Sequence, residues 1–225
     1  MSVCVDGSNC FQSYGWGRFR HLGSLMLFLQ FVERHQIDEL LFVNPQAQPV
    51  FEQPNAIDLA LLSKQYVPVP LTVAGGLESD HVFRQHCKYG LAERFMFTGA
   101  ILRHDSRWLD GYAAQFGRQS IVGCLPVSKD KTGRWVASDG LAEQPVTQSV
   151  IDFAIETCDE VLVQQIEQYG CPDMFDFSFE DEFLLDPGIT ILNGGIGPST
   201  FKLAGSKSYA AAYVDNSGYH SEFRL

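Results

Sequence analysis

Two stretches of this chain share a pattern of residues that is suited to binding phosphate. Residues 69–79 contain Gly75-Gly76, and residues 188–199 contain Gly194-Gly195. Each stretch is an apolar run followed by the glycine pair, one apolar residue and a serine that can cap a helix, which predicts a buried strand, a tight turn and a helix N-terminus. Such a turn directs backbone N–H groups and the positive end of a helix dipole at a ligand.

The two glycine turns lie 119 residues apart, about half the length of the chain. That spacing is too long for a solenoid, whose repeats run about 20–50 residues, and it indicates two related halves. Two phosphate-binding turns would suit a substrate that carries a phosphate at each end. The alternative is that each glycine pair only permits a tight connection between a strand and a helix.

Candidate catalytic and charged groups lie near the N-terminus. Asp6 ends an apolar run, where a carboxylate can act as a general acid or base if it comes within about 3 Å of a substrate proton; it can equally cap a turn in Asp6-Gly7-Ser8. Arg18, Arg20 and His21 form a basic patch in an acidic protein. They can hold a phosphate, or they can belong to a solvated loop.

Composition limits the classes of function. A net charge of −11 argues against a nucleic-acid partner and an anionic membrane surface. No apolar run reaches the roughly 18 residues of a membrane span, and the first residues lack the features of a signal peptide, so we expect a cytoplasmic protein. The six cysteines are scattered, without a Cys-x-x-Cys pair, which predicts reduced thiols. We expect no metal and no cofactor.

Eight short apolar runs alternate with helical segments over the whole chain. Continuous apolar strands of this kind are buried on both faces, as in a parallel sheet. The pattern predicts one α/β domain, residues 1–225, folded as a (β/α)8 (TIM) barrel with half-barrels of about 1–118 and 119–225 and a shortened C-terminus. A doubly wound open sheet is the alternative, and the absence of Gly-x-Gly-x-x-Gly disfavours it. Strands are predicted at 2–6, 39–44, 69–74, 94–98, 120–125, 160–165, 188–192 and 208–214, and helices at 24–35, 55–65, 79–89, 106–116, 147–157, 179–185 and 198–205.

In such a barrel, ligands bind at the C-terminal ends of the strands. That rule brings Asp6, Thr98-Gly99 and both glycine turns to one mouth. The turns follow strands three and seven, so they would lie on opposite sides of it.

Four motifs resemble a known family. They are Cys-Val-Asp at 4–6, Asp-Glu-Leu-Leu-Phe-Val at 38–43, Pro-Leu-Thr-Val-Ala-Gly-Gly-Leu at 70–77 and Ala-Gln-Phe-Gly-Arg-Gln-Ser-Ile-Val at 114–122. Together they resemble the histidine-biosynthesis barrels: the cyclase subunit of imidazole glycerol phosphate synthase, its isomerase relative and its relatives in surface-polysaccharide pathways. The resemblance implies a phosphate-binding half-barrel repeat, a lyase or cyclase reaction on a phosphorylated small molecule, and ammonia from a glutaminase-type amidotransferase partner.

The resemblance also implies roles for individual residues. Asp6 matches the catalytic aspartate on strand one, and the phosphate-site positions fall on Gly76, Thr98, Gly99, Gly194 and Gly195. Arg18 or Arg20 would take the place of a loop lysine.

At other positions this sequence differs from the family, which puts acid/base chemistry by two carboxylates in question. The second catalytic aspartate falls on Pro126, the strand-two acidic position falls on Asn44, and the strand-six Asp-x-Asp-Gly is replaced by Glu167-Gln168-Tyr169-Gly170. Glu167 is then the candidate for a second carboxylate. Two hypotheses follow: a divergent phosphosugar enzyme, or a catalytically decayed barrel that serves as a binding or regulatory subunit.

Overall fold

The computed structural model describes residues 1–6, 8–35, 37–43, 69–90, 92–140 and 142–215. Asn44 and the helix predicted at 55–65 lie outside the described residues. Within these ranges, the strands in chain order are β1 Ser2–Asp6, β2 Asn9–Tyr14, β3 Arg18–Ser24, β4 Leu40–Val43, β5 Leu71–Ala74, β6 Arg94–Phe97, β7 Ile121–Lys129, β8 Trp135–Ser138, β9 Glu143–Pro145, β10 Glu160–Gln165, β11 Thr190–Asn193 and β12 Ala211–Tyr213.

The helices lie between the parallel strands. They begin at residues that cap helices well: the Ser24 hydroxyl accepts from Leu27 N–H at 3.4 Å, and the Thr147 hydroxyl accepts from Val150 N–H at 3.4 Å. The helices of the described residues are α1 Leu25–Arg34, α2 Asp80–Tyr89, α3 Gly99–Leu102, α4 Ser106–Phe116, α5 Gln148–Thr157, α6 Phe179–Glu182 and α7 Pro198–Ser206.

Eight strands form the barrel wall in sequence order. β1, β4, β5, β6, β7, β10, β11 and β12 pair in parallel with their neighbours. The first and last of them are joined because Ser2 N–H donates to the Val214 carbonyl at 2.9 Å. The predicted (β/α)8 barrel is therefore confirmed, and the doubly wound sheet is excluded.

The side chains of the strands alternate between the barrel interior and the layer under the helices. Cys4, Leu41 and Met96 belong to the interior cluster, whereas Val3 and Val5 belong to the outer core. This alternation gives the phase of β1: Ser2 and Cys4 face inward, so Asp6, at the upper end of the strand, belongs to the same inward phase.

The segment after β1 differs from the prediction. No strand is predicted between residues 6 and 24, yet β2 and β3 form an antiparallel hairpin whose tip holds Gly15 at φ 57° and Trp16 at φ 56°. Gly17 N–H donates to the Tyr14 carbonyl at 3.2 Å. Positive φ at both central residues is the signature of a type I′ turn, which matches the twist of a two-stranded ribbon.

A charged cluster lies at the opposite end of the barrel from the mouth. Arg94 forms ion pairs with Glu39 and Glu160, and the N-terminal amine donates to the Glu39 carbonyl at 2.7 Å. These groups join β1, β4, β6 and β10 at their N-terminal ends.

Among the helices of the described ranges, none combines the length and the apolar character that a membrane span requires.

Candidate functional site at the barrel mouth

A cavity of about 320 Å³ opens on one side of the barrel mouth. Its wall includes Gly75, Gly76, Thr98 and Gly99, the four residues predicted for the first phosphate site. Gly75 and Gly76 have φ values of 98° and 70°, which side chains rarely tolerate. The volume falls within the roughly 300–1,000 Å³ of small-molecule pockets.

Arg103 supplies the positive charge of this cavity. Its side chain is half exposed, and its Nη1 donates to Asp139 Oδ2 at 3.1 Å while its Nη2 pairs with Glu78. Sequence reasoning missed Arg103 because the short helix α3 was not predicted. The available signal was its position in the sequence. Arg103 is four residues after Gly99, so in a helix it lies one turn from Gly99 and on the same face.

Glu78 already occupies part of the first turn. Its Oε1 accepts from Ala100 N–H at 2.8 Å, and its Oε2 contacts the Arg103 guanidinium. The carboxylate thus uses the backbone and side-chain donors that an external anion would use.

The second glycine turn is covered by the chain itself. Gly194 and Gly195 are buried, and the backbone N–H groups of Met174 and Phe175 donate to the Gly195 carbonyl at 3.0 and 3.1 Å. A Cβ on Gly194 would lie 2.1 Å from the Gln165 carbonyl oxygen, and one on Gly195 would lie 2.6 Å from Phe175 N. These two glycines permit a close approach between backbone segments.

Asp173 occupies the start of the helix that follows this turn. Its Oδ1 accepts from Ser199 N–H at 2.7 Å, Thr200 N–H at 3.0 Å and the Thr200 hydroxyl at 3.3 Å. The Thr200 backbone N–H, with smaller contributions from the other donors, holds the pKa of Asp173 below its usual value. The prediction that Gly194 and Gly195 hold a substrate phosphate stays a prediction.

Tyr169 fills the barrel interior beside this covered turn. Its side chain is 2% exposed and packs with Cys4, Leu162 and Ile191. Its hydroxyl lies 2.9 Å from Ser2 Oγ, deep in the barrel. Burial raises the pKa of Tyr169 well above its usual value, so the phenol is neutral. One half of the mouth therefore holds a cavity, and the other half is filled by Tyr169 and the segment that follows β10.

The predicted acid and base residues lie outside the cavity lining. Asp6 and Glu167 are exposed, and the Glu167 backbone runs past Gly15 at the hairpin tip. Arg18 and Arg20 are also exposed, on β3. The hairpin residue that lines the cavity is Trp16, for which the sequence alone left a lid and ordinary packing as alternatives.

Neutral groups form the inner end of the cavity. Pro126, which stands at the family's second catalytic aspartate position, lines it, and so do Cys124 and Gln164. Burial raises the pKa of Cys124 to about 12, so this thiol is not a nucleophile at neutral pH. Its Sγ donates to Gln164 Oε1 at 3.8 Å, and within the described ranges Gln164 Nε2 and Trp16 Nε1 have no acceptor.

Metal ligands are not grouped at this site. Over the parts of the chain that the structure describes, no set of three or more His, Cys, Asp or Glu side chains is arranged to hold a metal ion. The chemical resources of the cavity are backbone amides, the Arg103 guanidinium with its two partner carboxylates of Glu78 and Asp139, and neutral hydrogen-bonding groups.

Fold and site together define a (β/α)8 barrel with glycine turns at its mouth. A family model described as histidine biosynthesis protein matches residues 19–214, so the chain belongs to that family.

Individual relatives agree with the family assignment. The chain is 23% identical to imidazole glycerol phosphate synthase subunit HisF of Gluconacetobacter diazotrophicus over 188 residues, which are 81% of this chain and 72% of the relative. It is 27% identical over 128 residues to a putative hisF2 subunit of Vibrio vulnificus, 57% of this chain and 44% of the relative. The HisF subunit of Chloroherpeton thalassium is 21% identical over 201 residues, 86% of this chain and 78% of the relative.

Proposed function

We propose that this HisF-like barrel binds a phosphorylated small molecule, of the sugar phosphate class, at the first glycine turn. The observation that carries the proposal is the cavity walled by Gly75, Gly76, Thr98 and Gly99 with the Arg103 guanidinium at its side. The curated relatives are named as subunits of imidazole glycerol phosphate synthase, which is consistent with a phosphorylated ligand.

The phosphate would take the place of the Glu78 carboxylate. Ala100 N–H and Arg103 Nη2 are the two donors that Glu78 now holds, and a guanidinium binds phosphate oxygens in the same forked geometry as carboxylate oxygens. Glu78 is at the rim, 24% exposed, so its side chain can rotate into solvent. Its negative charge makes it an internal competitor of the ligand.

The remainder of the ligand would lie between Trp16 and Gln164. The Trp16 indole offers an apolar face, and the buried Gln164 Nε2, which has no protein acceptor in the described ranges, becomes a donor to the ligand when the side chain turns toward the cavity. A hydroxylated sugar has both a C–H face and acceptor oxygens, so it suits this pair.

For catalysis, we propose that Asp6 acts as the acid/base in a lyase or cyclase reaction. Its place at the upper end of β1, in the inward phase, supports this role. Glu167 is the candidate for a second carboxylate. The relatives are subunits of a synthase, which supports a partner such as a glutaminase that supplies ammonia.

The second candidate function is a binding or regulatory subunit without catalysis. Tyr169 inside the barrel and the non-ionisable Pro126 favour it, as does the absence of Asp6 and Glu167 from the cavity lining. The Asp6→Asn variant tests the role of Asp6 in the catalytic candidate. Loss of turnover by about 10²- to 10⁴-fold with unchanged ligand affinity supports catalysis, whereas turnover that survives in Asp6→Asn removes Asp6 from the mechanism.

The first prediction concerns Arg103. We expect Arg103→Met to weaken binding of ribose 5-phosphate by about 10- to 100-fold, because a charge-assisted hydrogen bond is lost. Titration calorimetry and ligand-induced shifts of the unfolding midpoint measure it. Arg107→Met is the matched control, since Arg107 also pairs with an aspartate but does not line the cavity. Equal affinities of Arg103→Met and the unmodified protein would contradict the proposal.

Glu78 gives the opposite prediction. Glu78→Gln removes the competing charge but keeps a carbonyl that can accept from Ala100 N–H, so we expect affinity for ribose 5-phosphate to rise about tenfold. The same titration checks it. If Glu78→Gln binds more weakly than the unmodified protein, Glu78 helps to hold the ligand and does not compete with it.

A further inference from the structure

We propose that Gln164 and Trp16 form a subsite for an uncharged oxygen atom at the inner end of the cavity. The two side chains would select the ligand by the end that lies opposite its phosphate, which makes them specificity-determining residues. The inference rests on the proposed function, because it concerns the same cavity. It adds the chemical class of the group that this cavity accepts beyond the phosphate.

Two adjacent glutamines on β10 show what is unusual about Gln164. Both are 2% exposed. The Gln165 amide is paired at both of its ends, since Nε2 donates to the Asp176 carbonyl at 2.6 Å and Oε1 accepts from Asp176 N–H at 2.7 Å. The Gln164 amide has a weak contact, from Cys124 Sγ to Oε1 at 3.8 Å, and in the described part of the chain its Nε2 has no acceptor.

This difference between the two glutamines points to a ligand. A buried donor without a partner costs free energy, and such groups are rare in folded proteins unless another molecule satisfies them. Gln164 lines the cavity and Gln165 does not. Rotation of the Gln164 amide toward the cavity would give its Nε2 an acceptor on a bound ligand.

A second unpaired donor comes to the cavity from the β2–β3 hairpin. Trp16 lines the cavity and packs against the interior cluster that contains Cys124. Its buried Nε1 likewise finds no acceptor over the described ranges. The hairpin tip is held by its own backbone, because Trp16 N–H donates to Ser13 Oγ at 3.0 Å. On the other side of the tip, Gly15 N–H donates to the Tyr169 carbonyl at 3.3 Å. The indole therefore stays at the cavity wall without a ligand.

The surroundings of the two donors favour an oxygen atom without charge. Both donors are N–H groups of neutral side chains, Pro126 does not ionise, and burial keeps the Cys124 thiol neutral by raising its pKa to about 12. A carboxylate at this end would lose its hydration without gaining a cation. A carbonyl or hydroxyl oxygen would gain hydrogen bonds at a smaller cost. We therefore expect a ligand with its phosphate at Arg103 and a carbonyl or hydroxyl group at its other end, as in an aldose phosphate.

The first test measures stability without ligand. Gln164→Met keeps the length of the side chain but removes the unpaired donor, so we expect the unfolding midpoint to stay unchanged or to rise. Gln165→Met is the matched control. It should lower the midpoint by about 4–10 °C, because it leaves the Asp176 backbone without its partners. If Gln164→Met lowers the midpoint as much as Gln165→Met, the Gln164 amide has a partner within the protein and the inference is overturned.

The second test measures binding by titration calorimetry. We expect Gln164→Met and Trp16→Phe each to weaken binding of ribose 5-phosphate by about 3- to 20-fold, because a hydrogen bond to the sugar is lost. Affinity for inorganic phosphate should stay within about twofold, since these side chains do not contact the phosphate. The compound 5-phosphoribonate, which has a carboxylate at C1, should bind the unmodified protein at least about tenfold more weakly than ribose 5-phosphate.

Binding by the unmodified protein separates the two proposals. If neither variant weakens ribose 5-phosphate, or if 5-phosphoribonate binds as tightly as the sugar phosphate, the phosphate site stands and the subsite is overturned. The same holds if ribose 5-phosphate binds no more tightly than inorganic phosphate. If neither compound binds at all, the proposed function fails and the inference fails with it.

Discussion

Replacing Tyr169 by alanine is expected to lower the free energy of unfolding by about 3–5 kcal/mol, the usual cost of truncating a buried aromatic side chain. Tyr169 is among the largest fully enclosed side chains, and it lies among apolar groups of the barrel interior. Its removal would leave a void between strands on opposite sides of the barrel, which cannot close by a small shift. Urea unfolding monitored by circular dichroism measures the loss.

A conservative variant separates the packing of the ring from its hydroxyl. Tyr169→Phe keeps the ring but removes the bond to the Ser2 hydroxyl, and we expect it to cost about 1–2 kcal/mol. Tyr89→Ala, at an exposed tyrosine, should change stability by less than about 0.5 kcal/mol. A loss below about 1 kcal/mol in Tyr169→Ala would mean that this side chain does not fill the barrel.

Gly194→Ala is expected to destabilise the protein by about 2–5 kcal/mol, without any ligand present. Two costs add: an alanine at φ 85° is strained, and its Cβ would lie 2.1 Å from the Gln165 carbonyl oxygen, which belongs to the backbone and cannot rotate aside. The midpoint of thermal or urea unfolding measures the effect. A loss of this size would show that Gly194 is needed for the close packing of the second glycine turn against the end of β10.

Gly111→Ala is the matched control. Gly111 lies inside α4, and a Cβ there would meet nothing within 4 Å. An alanine in a helix interior should stabilise the protein by about 0.5–1 kcal/mol. If the two glycine variants behaved alike, close packing at Gly194 would be refuted.

Much of the barrel could be predicted because its signals are local. β1 and β10 have the predicted bounds, since continuous apolar runs mark buried strands. Gly90, at φ 56°, ends α2 where the sequence placed a helix stop. Such features depend on one or two neighbouring residues, and a single sequence displays them.

The features that the sequence did not reveal depend on contacts between segments that are far apart in the chain. Asp173 is 26 residues before Ser199, and nothing near either residue indicates that they meet. Arg103 becomes part of the site only because α3 turns it back toward Glu78. The β2–β3 hairpin was missed for a different reason, because its tip places Trp16, and not a glycine, at positive φ.

The first glycine turn opens on a cavity and the second is buried against the chain, so we expect one anion-binding site at the barrel mouth. Calorimetric titration with ribose 5-phosphate and with ribulose 1,5-bisphosphate, at one ionic strength, tests this most directly. We predict one molecule bound per chain and dissociation constants that agree within about threefold, since only one phosphate is held. If the bisphosphate bound about 30-fold more tightly or more, the second turn would also bind phosphate, which would contradict a barrel mouth with a single anion-binding site.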